Sequence, residues 1–262
     1  MTSLSGSCRT LQVMRLTILG SNGTYPTPSH PTSGYLLSHE GTSVWMEAGS
    51  GTFAALQTAI DFNTLDALVI SHVHADHCMD VLGFYHALKY GGRRRGAIPT
   101  HVPVGLAERL KGFLGDPDHP LGETLDFVVH EDGDHVAVGA IDFDFTITDH
   151  PVPTLGVRAT AGSGRVLAFS ADTGPQGAWP RIAEGADLFL CEATYQGPED
   201  EKPWSHHLTA GEAGLIARRV GAKALMLTHI WPALDPELSV QEAEQTFGKP
   251  VMLAVPGMAV KV

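Results

Sequence analysis

Cysteine is scarce. Cys8, Cys78 and Cys191 are the only three in 262 residues, too few and too scattered for a disulfide framework, which implies a reducing, cytoplasmic compartment. Basic side chains are also under-represented, 17 against 29 acidic, for a net charge of −12. A surface that acidic repels a phosphate backbone at long range and disfavours extended nucleic acid as a partner. Small anionic esters remain open as substrates, provided a local cationic centre exists. No apolar run is long enough to cross a bilayer, which excludes a membrane-spanning chain. The first twenty residues lack an apolar segment ahead of a small-residue cleavage site, which argues against a secretory signal. Charged residues make up only 18% and apolar ones 43%, a balance that fits neither a disordered chain nor a coiled coil.

What is present is enough chain for a sizeable core and a pattern in which strands alternate with helices. Residues 1–13 read as a disordered leader, because Met14 directly precedes the strand-like Arg15–Leu19; residues 14–262 read as one domain. Further apolar runs predict strands at Gly34–Leu37, Ser43–Met46, Asp66–Ile70, Arg165–Phe169, Asp187–Leu190 and Lys223–Thr228. Ile141–Ile147 alternates apolar and polar residues, so one face is buried and one is wet. Helices are expected at Thr52–Ile60, at Met79–Tyr90, and at Ala210–Val220, the last behind a capping box of Thr209 and Glu212. The sum is an α/β fold with mixed sheets.

The chemistry concentrates in Ser71-His72-Val73-His74-Ala75-Asp76-His77, which follows an apolar strand. Side chains alternate in an extended segment, so His72 and His74 point the same way, while Asp76 and His77 fall at the turn into the helix near Met79. A single surface histidine is an ordinary loop residue; three histidines and an aspartate in six residues point to metal. Three more potential ligands sit just past apolar runs, where α/β folds gather functional groups: His150, Asp172 and His229. One metal would take His72, His74, His150 and Asp172; the other would take Asp76, His77, His229 and a shared, bridging Asp172. Nitrogen-rich sets with a few carboxylates suit zinc, with manganese or iron as alternatives.

The run His72-Val-His74-Ala-Asp76-His77 resembles the HxHxDH motif of the metallo-β-lactamase superfamily. Within it, the chain is most similar to the ribonuclease Z and phosphodiesterase branch, through Leu19-Gly20-Ser21, His150-Pro151-Val152-Pro153-Thr154-Leu155-Gly156, Ser170-Ala171-Asp172-Thr173, Cys191-Glu192-Ala193-Thr194-Tyr195, His207-Leu208-Thr209-Ala210 and Leu227-Thr228-His229. The resemblance implies a four-layer αββα sandwich of two mixed β-sheets, a dinuclear site at one sheet edge, and a homodimer. It also implies that Glu192 orients His207, which assists the leaving group.

Two departures matter. Transfer RNA-processing ribonuclease Z enzymes carry a long arm between the third histidine and the bridging aspartate, yet His150 and Asp172 are only 22 positions apart. The lactamases themselves place a cysteine where Asp172 stands. The expectation is therefore a metal-dependent hydrolase of a small phosphodiester, such as a cyclic nucleotide, working through a metal-bridging hydroxide oriented by Asp76. Ribonuclease Z-like processing and hydrolysis of thioesters, lactones or sulfate esters are the alternatives. Arg93-Arg94-Arg95 reads as a solvated charge run, and Cys78 and Cys191 read as small core residues.

Overall fold

The structure, a computed structural model, describes residues 13–91, 96–116 and 118–262. All but Val13 of the expected leader lies outside the described residues, and so does the Arg93–Arg95 run. The first half of the chain lays down β1 (Arg15–Gly20), β2 (Gly34–His39), β3 (Thr42–Met46), β4 (Ala67–Val69), β5 (Ile98–Pro103) and β6 (Leu125–His130). The second half lays down β7 (His135–Val138), β8 (Ile141–Ile147), β9 (Leu155–Ala161), β10 (Val166–Phe169), β11 (Leu188–Glu192), β12 (Leu225–Thr228) and β13 (Met252–Leu253). The last strand, β14 (Ala259–Lys261), returns to the first sheet.

Among the described residues two seven-stranded sheets form, ordered β14-β1-β2-β3-β4-β5-β6 and β13-β12-β11-β10-β9-β8-β7. Each is antiparallel in one part and parallel in the other. Of the strands paired in parallel, β4 in one sheet and β10 to β12 in the other are fully buried, as strands covered on both faces must be. Between the sheets lies an apolar layer that includes Leu16, Tyr35, Leu37, Val44, Phe143, Phe145, Val157 and Phe169.

The outer faces are covered by helices. Leu36, Trp45 and Leu68 pack against Leu56 of α1 (Thr52–Ala59), Val81 and Phe84 of a helix at Asp80–His86, and Leu110 of a helix at Leu106–Phe113. On the other side, Phe189, Leu225 and Leu227 pack against Ile182 of Trp179–Ala183, Ile216 of Ala210–Arg219 and Phe247 of Pro236–Phe247. The helix–sheet–sheet–helix order is the expected αββα sandwich. Among the described residues no helix is long and apolar enough to cross a membrane.

Several local expectations need correction. The helix expected at Met79–Tyr90 is shorter: it covers Asp80–His86 and then widens into a π turn over Ala87–Gly91. The metal-loop residues do not merely precede it, because Asp76 and His77 sit on their own one-turn helix, α2 (Ala75–Cys78). Thr209 and Glu212 do form the capping box that starts Ala210–Arg219. Strands β5 to β7, β9, β13 and β14 answer to no element expected from the sequence.

Candidate metal centre

Every predicted ligand arrives at the same end of the sandwich, beyond the C-terminal ends of buried strands. His72 and His74 follow β4, His150 follows β8, Asp172 follows β10 and His229 follows β12. These strands lie inside their sheets, so the site faces strand ends and not a lateral sheet edge. Backbone geometry helps to turn the side chains inward: Ala171 (φ 52°) and His229 (φ 55°) both adopt the left-handed region, which L-residues enter only at a cost of about 1–2 kcal/mol.

The donor atoms converge as two cages. In one, His72 Nε2 lies 3.1 Å from His74 Nδ1, His150 Nε2 lies 3.2 Å from the same Nδ1, and Asp172 Oδ2 lies 3.5 Å from His72 Nε2. In the other, Asp76 Oδ2 lies 3.6 Å from His77 Nε2 and 3.2 Å from His229 Nε2. Asp172 Oδ1 completes that second cage, 3.2 Å from His77 Nε2 and 3.4 Å from His229 Nε2. Asp172 thus turns one oxygen to each cage, as expected of a bridging carboxylate.

These spacings fit a cation. Four donors bound at ~2.1 Å in a tetrahedron sit about 3.4 Å apart. The tautomers fit as well. His72 Nδ1 is 2.9 Å from the Ser71 hydroxyl, and His150 Nδ1 is 3.2 Å from the His206 carbonyl. Each Nδ1–H donates outward, leaving bare Nε2 lone pairs to face one another across the first cage. Among the described residues, His77 Nε2 and Asp172 Oδ1 are buried and find no hydrogen-bond partner, a costly state that a bound cation relieves.

The electrostatics point the same way. Burial drags the His77 imidazole down, but Asp172, Asp76 and its bond to Glu47 overcome that and hold it well above its ordinary range. Burial raises Asp172, and the surrounding His229, His77 and His72 hold it well below the usual carboxylate range. The carboxylates demand positive charge, which a proton on His77 or a metal can supply. His150, by contrast, is pushed down to about 4 by burial, and burial also lowers His74 and His72. Neutral imidazole is the form that ligates.

The predicted Glu192–His207 pair forms. His207 Nδ1 lies 2.9 Å from Glu192 Oε1, beneath a surface that leaves Glu192 1% exposed. Burial lowers His207, but the Glu192 carboxylate outweighs it and lifts the imidazole to about 9. Nitrogen atoms of His207 and His229 and an oxygen of Asp172 lie within 4.8 Å of one another, so the imidazolium borders the second cage.

Three supporting groups were not predicted as site residues. Glu47, just past β3 and 1% exposed, accepts from Ser71 N–H at 2.6 Å, from the Ser71 hydroxyl at 2.8 Å, and from His77 Nδ1 in a short contact. It too has a left-handed backbone (φ 60°). In the sequence it stands directly after the apolar Val44-Trp45-Met46, a setting that marks burial but not the contact with His77. Thr194 donates to Glu192 Oε2 at 2.7 Å and accepts from His229 Nδ1 at 2.8 Å. Asp76 has a further support, the Thr24 N–H at 2.8 Å; this comes from the loop after β1. Cys78 and Cys191 are buried and free, with burial pushing the Cys78 thiol up to about 12.

Residues 42–230 match the family model of the β-lactamase superfamily domain. Rv1339 of Mycobacterium tuberculosis, an uncharacterized protein, is 35% identical over 94% of this chain and 91% of its own. YhfI of Bacillus subtilis, a metallo-β-lactamase fold protein of known crystal structure, is 28% identical over 93% of this chain and 98% of its own. Its crystal structure superposes with a TM-score of 0.85 over 96% of this chain and 100% of that one. Ribonuclease Z of Thermobifida fusca is 26% identical over 96% of both chains.

Proposed function

The chain belongs to the metallo-β-lactamase superfamily, in its ribonuclease Z-like branch, and from that premise we propose that it is a metal-dependent phosphodiesterase acting on a small diester such as a cyclic nucleotide. His72, His74, His150 and Asp172 would hold one divalent cation, and Asp76, His77, His229 and Asp172 a second; the nitrogen-rich sets suit zinc. When bound, such a pair supplies a water of lowered pKa and positive charge against the ester oxygens. Everything else is the work of the chain. Asp76, fixed by the Thr24 N–H, would orient the attacking water, and His207 would give its proton to the departing oxygen.

The observation that carries this reading is the buried 2.9 Å bond between His207 and Glu192 beside the cage. An alkoxide leaving from phosphorus is a strong base and needs a proton as the bond breaks. A thiolate leaves without one, so a histidine held protonated to about pH 9 favours the phosphodiester over the thioester. Compactness favours a small one. The 22 positions from His150 to Asp172 are taken up by β9, a Gly162–Gly164 turn and β10, which leaves no protruding arm for a folded RNA.

The test is a substrate panel on metal-loaded protein. Turnover of bis-p-nitrophenyl phosphate and of a 3′,5′-cyclic nucleotide, with no turnover of a chromogenic thioester, is expected. The reverse preference would overturn the proposal.

A further inference from the structure

The phosphodiesterase reading says what bond is cut but not what holds the rest of the substrate. Exposed aromatic rings gather at this site. Trp204 is 40% exposed and Trp231 37% exposed, although large apolar side chains are ordinarily withdrawn from water. Trp204 lies 5.2 Å, ring centre to ring centre, from His207 and 5.7 Å from His150. Beyond His207 the row continues to Tyr195 at 5.9 Å, and from Tyr195 to Trp231 at 6.2 Å.

The Trp204 indole is also held in place. Two residues before it, Lys202 Nζ lies 2.8 Å from both oxygens of Glu212, with both side chains nearly buried. Two residues after it, His206 pairs with Asp149 at 3.2 Å, and the His206 carbonyl accepts from His150 Nδ1. A rim residue anchored on both sides is not a frayed loop tip. Its indole, two-fifths exposed, stands between anchored neighbours, so stacking on it costs the protein little freedom.

Resting on the phosphodiesterase reading above, we propose that the exposed face of Trp204 is a stacking platform for the planar base of a nucleoside phosphodiester. The position selects the leaving-group side: Trp204 flanks His207, the proton donor, so the alcohol that departs is the part that meets the indole. The chemistry selects the class. A ribose alkoxide carries a flat π system within reach of its own oxygens, and base–aromatic stacking is tolerant of which base is present. Trp204 is therefore a specificity-determining residue that contributes to binding of the alcohol portion and takes no part in proton transfer.

Two cyclic phosphates test this: adenosine 3′,5′-cyclic phosphate, and the same ribose cyclic phosphate with a methoxy group in place of the base. The preference for the first, as a ratio of kcat/KM values, should fall about tenfold in Trp204→Ala, the loss expected from truncating one stack. Trp204→Phe should restore most of it, and Phe113→Ala, an exposed ring elsewhere, should leave it unchanged. Titrating metal-loaded protein with adenosine 5′-monophosphate should quench indole emission, and Trp204→Phe should remove most of that quench. A ratio that stays constant across the Trp204 variants, with both compounds hydrolysed, would overturn the platform and leave the phosphodiesterase standing. Failure to hydrolyse either compound, with the Trp204-dependent quench intact, would overturn the phosphodiesterase and support the platform as a nucleotide-binding face.

Discussion

The two sheets meet the site with the same device used to different ends. At the end of β3, Glu47 bonds one histidine directly, His77, and reaches a second, His72, through the Ser71 hydroxyl. At the end of β11, Glu192 bonds His207 directly and reaches His229 through the Thr194 hydroxyl. Each is a buried carboxylate whose remaining capacity is taken by backbone N–H groups, from Ser71 on one side and from Thr173, Thr194 and Leu208 on the other. The difference lies in where the directly bonded histidine points. His77 is sealed in and aims Nε2 at Asp172, where the proposed function needs a ligand. His207 lies under the exposed Trp204, where the proposed function needs a proton donor.

The comparison can be broken in graded ways. Asp172→Asn touches both sides at once and should have the largest effect: metal content by elemental analysis should collapse, with activity down by about three orders of magnitude. His207→Ala should keep its metal while slowing turnover by about a hundredfold to ten-thousandfold, the range of a lost general acid; loss of metal as well would put His207 among the ligands. Glu47→Gln should weaken metal binding by about ten- to a hundredfold, as expected when a ligand loses its outer partner.

Glu192→Gln is the sharper counterpart, because its signature is in pH. With Glu192 charged, His207 keeps its proton up to about pH 9, so turnover should fall as pH rises through that value. Without the charge, the folded pKa drops toward the ordinary imidazole value near 6.5 and the alkaline limb should move to lower pH. A limb that stays in place would deny His207 its role. The smallest change concerns the thiols: Cys78 and Cys191 are buried and raised, so neither should react with an alkylating agent until the protein unfolds.

The convergence of the proposed ligands was legible in the sequence because most of them follow a run apolar enough to be a buried strand. Asp172 comes after Val166-Leu167-Ala168-Phe169 and His229 after Leu225-Met226-Leu227-Thr228, and buried parallel strands end where functional groups collect. Glu47 stands in the same setting but is an acid without a neighbouring histidine. Its role depends on contact with His77, thirty positions away, which no local pattern carries. Strand β5 was hidden for a different reason. Ile98-Pro99-Thr100-His101-Val102-Pro103 holds two prolines, which argue against an interior strand, yet β5 lies between β4 and β6. The return of β14 to β1, pairing Lys261 with Arg15, is likewise a product of the whole fold. Helix α2 is a single turn, too short to leave a 3.6-residue period.

The left-handed backbone at Ala171 has a consequence for anyone who sets out to raise the melting temperature of this enzyme. Glycine is the obvious replacement at φ 52°, since it removes the steric penalty on the folded chain. The same replacement would hand freedom to the one peptide unit that aims Asp172 between the two cages. Thermal gain at that position should come with slack in the carboxylate and poorer retention of metal, so an optimisation that screens only for heat resistance would select against catalysis there.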